Sequence, residues 1–230
     1  MAARLPAHVP AHLPAHLPEY TLYCFAQSGN AYKPALMLEL ADADWSPRFV
    51  DYFGGETRTP AYRAINVMGE VPVLEHRGLR LSQSGLILDY LAQMLGKFGP
   101  QGDDERREIL RWLLFDNHKF TSYTATYRFM RSYLKSADPG TMAEFRKRAE
   151  GAWAVLNAHL DGRRYVVGDR LTIADLSLCG YLFWPEEIGV DWNDYRHLHA
   201  WLDRIREEPG WVHPYALMPG HPRPDAADAR

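Results

Sequence analysis

The sequence predicts an α+β protein: a small mixed layer of strands and helices, then an all-helical bundle. Two patterns and the break between them lead to this. Before about residue 97, short aromatic or β-branched runs alternate with helical stretches in the order β-α-β, then β-β-α. Residues 96–104 (GKFGPQGDD) interrupt the pattern with glycine, proline and two acids, the composition of a linker. From about Glu105 onward apolar residues recur at helical spacing, and no pair of strand-like runs is found. The expected division is a tail over 1–18, the mixed layer over 19–97, a linker over 98–104 and a helical domain over 105–230.

Within the tail, Ala7-His8-Val9-Pro10, Ala11-His12-Leu13-Pro14 and Ala15-His16-Leu17-Pro18 form a tetrapeptide repeat. Proline this dense is incompatible with a helix or a strand ladder, so a disordered or polyproline-like segment is expected. Its three histidines on a flexible chain would fix no metal geometry, and no metal site is expected. Tyr20 to Ala26 is expected to be the first strand, closed by Ser28-Gly29-Asn30. Tyr32 to Ala43 follows as a helix, with Pro34 in its first turn. Arg48 to Phe53 reads as a second strand, and Thr59 to Ile65 as a short helical or irregular link. Val71 to Glu75 and Leu79 to Leu81 flank His76-Arg77-Gly78 as a hairpin. Gln83 to Leu95 is the next helix; beyond the linker, helices are expected over Glu105–Leu134, Thr141–Leu160, Ile173–Trp184 and Tyr195–Glu207.

The chain has 26 Lys plus Arg against 29 Asp plus Glu, a formal net charge of −3, which argues against a nucleic-acid partner. No apolar run is long enough to span a bilayer, so no membrane partner is expected. Cys24 and Cys179 form neither a disulfide framework nor a zinc pattern, which suits a reducing cytoplasm.

Four short segments carry chemistry. Ser28-Gly29-Asn30 lies where a strand meets a helix; a hydroxyl or amide there can donate to a thiolate and lower its pKa, or Ser28 can serve as a simple helix cap. Proline in the Val71-Pro72-Val73 run either starts a strand in the ordinary trans form or follows a cis bond that frees the Val71 backbone for a peptide ligand. Ser82-Gln83-Ser84 opens a helix, where a serine caps the end and free N–H groups suit a carboxylate. Thr172 with Asp175 makes an Asp variant of the capping box, with Leu171 and Leu176 as a hydrophobic staple; Asp175 reads as structural.

Taken in order, Ser28, the Asn66-x-x-Gly69-x-Val71-Pro72-Val73-Leu74 stretch, Gln83-Ser84 and Gly168-Asp169-x-Leu171-Thr172-Ile173-Ala174-Asp175 resemble the soluble glutathione transferase family. The resemblance runs from about Tyr20 to Leu217. It implies a thioredoxin-like first domain with a cis Val71-Pro72 bond, glutathione as cosubstrate, an electrophile or disulfide substrate held between the domains, and a homodimer. By the same resemblance Val71 pairs its backbone with the cysteinyl part of glutathione, and Gln83 and Ser84 hold the γ-glutamyl carboxylate. Glu70 lies near the peptide and Lys33 reaches the glycine carboxylate. Ser28 matches the hydroxyl of serine-type, theta-like members. Asn30 matches the Asn of the Thr-Pro-Asn motif of bacterial Nu-type members, from which Gly29 departs. Omega-like members carry a cysteine at the Ser28 position; Cys24 and Cys179 are expected to be buried and inert.

Asp116, Phe120, Tyr123 and Tyr127 fall on one helical face. This face is either packing or an aromatic wall of the electrophile pocket in which Tyr123 or Tyr127 donates a hydrogen bond. Alternatively, Asp116 or Asn117 reaches a neighbour's glutathione amine; His118 is structural. The implied activity is a glutathione transferase that forms the thiolate of glutathione. The alternatives are a glutathione-dependent disulfide reductase or peroxidase of Nu type and a non-catalytic binding protein of the same fold.

Overall fold

The structure, a computed structural model, describes residues 18–222. The repeat expected to be disordered therefore lies outside the described residues, except for Pro18. The first layer is a four-stranded sheet in the order β2-β1-β3-β4. Its central strand β1 (Tyr20–Cys24) pairs in parallel with β2 (Trp45–Phe49) and antiparallel with β3 (Val73–His76), which pairs with β4 (Leu79–Ser82). Pro47 is tolerated because β2 is an edge strand, where a missing N–H need not serve a neighbour. β2 lies earlier than the Arg48–Phe53 expected from sequence. Its ladder ends at the Val50 N–H to Cys24 carbonyl bond of 3.0 Å, after which the chain turns, with the Asp51 carboxylate accepting from the Gly54 N–H.

Helix α1 (Gly29–Leu40) joins β1 to β2 and begins three residues before the expected Tyr32. The reason is Ser28, whose extended backbone and Oγ, accepting from the Ala31 N–H at 3.1 Å, already cap the end. Pro34 consequently lies inside the helix instead of in its first turn. The Glu56–Arg58 turn and α2 (Pro60–Ile65) form the link to the hairpin. The hairpin turn is shorter than expected, a two-residue Arg77-Gly78 turn with positive φ at both positions, which matches the strand twist. α3 (Ser84–Leu95) closes the layer.

The expected single helix Glu105–Leu134 is α4 (Asp103–Phe115), a π turn over Asp116–Phe120 and α5 (Thr121–Ser132). α6 (Pro139–His159) packs along α5. The expected helix Ile173–Trp184 is shorter: α7 (Ile173–Leu178) passes into a tight turn over Cys179–Tyr181, and Pro185 opens α8 (Pro185–Ile188). α9 (Arg196–Arg206) and α10 (Pro214–Leu217) complete the bundle.

The capping box is present and ties three elements together. Thr172 N–H donates to Asp175 Oδ2 at 2.9 Å, while Asp175 Oδ1 accepts from the Val166 N–H at 2.8 Å and the Trp201 indole at 2.9 Å. Leu171 and Leu176 beside it are buried. One apolar core runs from β1, α1 and α3 into α7 and α9, so the two layers share an interior. At their seam Gly29 faces Gly180: a Cβ on Gly29 would lie 2.6 Å from the Gly180 carbonyl, and a Cβ on Gly180 would lie 2.8 Å from the Gly29 carbonyl.

Candidate functional site

A cavity of about 600 Å³ opens between the sheet layer and α5. Its first-layer wall holds Ser28, Asn30, Glu70, Val71 and Gln83. The fold brings these together because the end of β1 pairs with the start of β3, whose partner β4 ends beside it where α3 begins.

Ser28 is 5% exposed. Its Oγ accepts from Ala31, which leaves the hydroxyl proton available to an anion in the cleft. Asn30 stands in the first turn of α1, with its side-chain Oδ1 3.5 Å from Ser84 Oγ. Val71-Pro72 is cis, and Val71 lies outside the β3 ladder, its backbone taken by no other backbone group among the described residues. The loop before it is held by Asn66, whose amide donates to the Glu70 carbonyl at 2.9 Å, and by the Tyr62 hydroxyl, which donates to the same oxygen. The Glu70 carboxylate accepts from Gln83 Nε2 at 3.1 Å.

At the start of α3 the cap residue is Gln83, with φ 72°, instead of Ser82 or Ser84. Its side chain makes no capping bond, and Ser84 is the first helical residue. The N–H groups of that first turn are thus unpaired within the helix, next to Gln83, which lines the cavity.

Lys33 is placed elsewhere. It is 1% exposed and points into the seam between the layers, where Nζ bonds Asp116 Oδ2 at 2.6 Å and Thr121 Oγ1 at 3.0 Å. A cation enclosed in this way cannot reach a ligand carboxylate in the cleft. Asp116 is spent in the same pair and also accepts from Ser177 and Thr121. Asn117 is exposed and lines the cleft, and His118 is exposed.

Tyr123 and Tyr127 do not line the cavity. Tyr123 packs on Phe145 and Arg148 of α6, and Tyr127 is buried near Arg146 of the same helix. The π turn is the cause. Its wider turn adds a residue, so every later side chain is rotated by about 100° from the phase counted from Asp116. The face of α5 that meets the cleft is instead the one with Ser122, Ala125 and Phe129.

Several cavity residues have no counterpart in the sequence reading: Phe25, Tyr52, Phe53, Arg128, Tyr133 and Tyr181. The aromatic pair ahead of Gly54-Gly55 and the tyrosine after Gly180 were the signals available. Arg128 is 2% exposed; it stacks on Trp184 at 3.7 Å, donates to the Gln27 carbonyl at 2.7 Å and pairs with Glu187 of α8. Burial pushes the Glu187 carboxyl up, but Arg128 and the hydroxyls of Tyr133 and Tyr215 outweigh this and hold it below its ordinary value. Both cysteines are buried, and burial pushes the Cys24 thiol up to about 12, so neither is a reactive thiolate at neutral pH.

Residues 18–93 match the family Glutathione S-transferase, N-terminal domain, and residues 124–209 match Glutathione S-transferase, C-terminal domain. Among solved structures, a possible glutathione S-transferase from Rhodopseudomonas palustris is 33% identical, with a TM-score of 0.80 over 85% of this chain and 89% of that one. Glutathione S-transferase from Pseudomonas fluorescens is also 33% identical, with a TM-score of 0.80 over 85% of this chain and 98% of that one. A glutathione transferase homolog from Lodderomyces elongisporus, crystallised with two GSH per subunit, is 26% identical, with a TM-score of 0.79 over 84% of this chain and 96% of that one. The chain belongs to the glutathione S-transferase family. Glutathione transfer is the activity that defines that family. Among the described residues, no helix is long and apolar enough to cross a membrane.

Proposed function

We propose that this glutathione transferase binds glutathione along the first-layer wall of the cleft, with its sulfur at Ser28 and Asn30. The observation that carries this reading is the Ser28 hydroxyl: it is fixed by the Ala31 N–H at 3.1 Å, borders the cleft and keeps its proton free to donate. Donation to sulfur favours the thiolate over the thiol. The thiol proton passes to solvent, and the sulfur then forms a bond to the electrophilic atom as the leaving group departs with its electron pair.

The rest of the peptide follows from the wall. Val71 offers backbone groups to the cysteinyl unit, and the first turn of α3 with Ser84 takes the γ-glutamyl carboxylate. Glu70, beside Gln83, faces the ammonium at the same end. The opposite wall, with Phe53, Phe129 and Tyr133, takes the second substrate. One relative holding two GSH per subunit supports a disulfide of glutathione as a second reading of that substrate.

A second copy of the chain is proposed to pair through α3 and α4. Leu86, Leu110 and Leu114 are 53%, 53% and 61% exposed on one groove that runs onto Gln83, Ser84 and Asn117. Such a face leaves apolar area in water unless it is covered. Leu110→Glu should convert a dimer to a monomer in sedimentation.

The test of function is retention on immobilised glutathione together with turnover of an activated aryl halide and of a mixed glutathionyl disulfide. Retention with turnover supports the enzyme, and the preferred substrate decides between the two chemistries. Retention without either turnover would make the chain a binding protein.

A further inference from the structure

We propose that the Tyr181 hydroxyl, supplied by the helical layer, is a second hydrogen-bond donor to the glutathione sulfur, opposite Ser28. The proposal rests on the placement of glutathione given above and adds a residue to it.

Position comes first. The Tyr181 ring lies directly on the Ser28-Gly29-Asn30 turn, so closely that a Cβ on Gly29 would come within 2.4 Å of Cδ2. Gly180 lets the Cys179–Tyr181 turn approach from the other side, since a Cβ there would meet Lys33 at 2.7 Å and the Gly29 carbonyl at 2.8 Å. Two glycines at one contact admit the tyrosine to the place where the sulfur is expected. Tyr181 and Ser28 border the same cavity.

Valence comes second. The backbone N–H of Asn30, an end group of α1 without a helical acceptor, lies close enough to the Tyr181 oxygen to favour negative charge there. Among the described residues no acceptor takes the hydroxyl proton. A phenol that lies beside an N–H and keeps its own proton can donate that proton to an anion in the cavity it borders. Burial pushes the Tyr181 phenol up, so it stays protonated at neutral pH. Tyr181 therefore donates a hydrogen bond without transferring its proton; the thiol proton still leaves to solvent, and the bond changes at sulfur are those already given.

The test compares wild type, Tyr181→Phe, Ser28→Ala and the double variant, each loaded with glutathione and titrated by thiolate absorbance. Tyr181→Phe removes one oxygen and keeps the ring contact with Gly29. The expected result is a bound-thiol pKa raised by about one unit and kcat/KM lowered about tenfold at neutral pH, recovering at high pH. The glutathione Kd and the melting temperature should stay near wild type, a combination that loss of packing would not give. A glutathione complex of the wild type should place the Tyr181 oxygen within hydrogen-bond reach of sulfur. If Ser28→Ala shifts the thiol pKa and Tyr181→Phe does not, or if the complex puts the hydroxyl out of reach, this proposal fails while the placement of glutathione stands. Wild type that binds no glutathione would overturn both.

Discussion

Ser84 Oγ lies 3.5 Å from Asn30 Oδ1, so the first turns of α3 and α1, far apart in sequence, meet at one end of the cleft. Two helix starts that converge in this way bring two positive dipole ends to a single region. A peptide with a carboxylate at one end and a thiol near its middle can span them.

Loss of Ser84 should weaken binding more than chemistry. Ser84→Ala removes one hydrogen bond to a carboxylate, worth about 1.5–3 kcal/mol, so calorimetry should show glutathione Kd raised at least tenfold. Turnover at saturating glutathione should change little. An unchanged Kd would place the γ-glutamyl end elsewhere.

Lys33 is predicted to act on stability alone. Lys33→Met leaves the Asp116 charge enclosed without its partner, which costs about 3–5 kcal/mol. Adding Asp116→Leu should recover most of the lost melting temperature. Glutathione affinity of the folded single variant should match wild type. A raised Kd with normal stability would return Lys33 to the ligand.

Thr172→Ala should lower stability by about 0.5–2 kcal/mol through the lost cap, read from denaturant midpoints. Since Thr172 lies beyond the cleft, the thiol pKa of bound glutathione should not move.

Glu187 sets an acid limit. Its folded pKa lies below the ordinary 4.5, so it contributes stability that is fully present above that value and is lost as pH falls through the folded value. The stability difference between wild type and Glu187→Gln should therefore be constant near neutrality and shrink below about pH 4.5. A difference that grows on acidification would mean that Arg128 does not hold this carboxylate.

What was legible in the sequence was whatever depends on chain-local rules. Ser28, Gln83 and Ser84 stand where strands pass into helices, and Thr172 with Asp175 states a capping box, so the elements around them could be placed. Element ends shifted where a cap or a ladder decided them: Ser28 moved the start of α1, and the last rung to Cys24 moved the end of β2. The far wall was not legible. Counting a helical face through Asp116–Phe120 assumes an unbroken period, and the π turn there sends Tyr123 and Tyr127 to α6 and brings Arg128 and Phe129 to the cleft. The family resemblance assigns Lys33 to the glycine carboxylate because its true partner, Asp116, lies in the other layer, far along the chain. Tyr181 was hidden for a related reason, since its value depends on the contact of Gly29 with Gly180.

The central claim is that Ser28 donates to the sulfur of bound glutathione, and the most direct test is the thiol pKa in the binary complex. Ser28→Ala should raise that pKa by at least about one unit with little change in glutathione affinity, because a hydrogen bond to a charged group is worth about 1.5–3 kcal/mol and one pKa unit about 1.4 kcal/mol. A Ser28→Ala complex that titrates like wild type, with Asn30→Ala carrying the shift instead, would contradict the claim and give that role to Asn30.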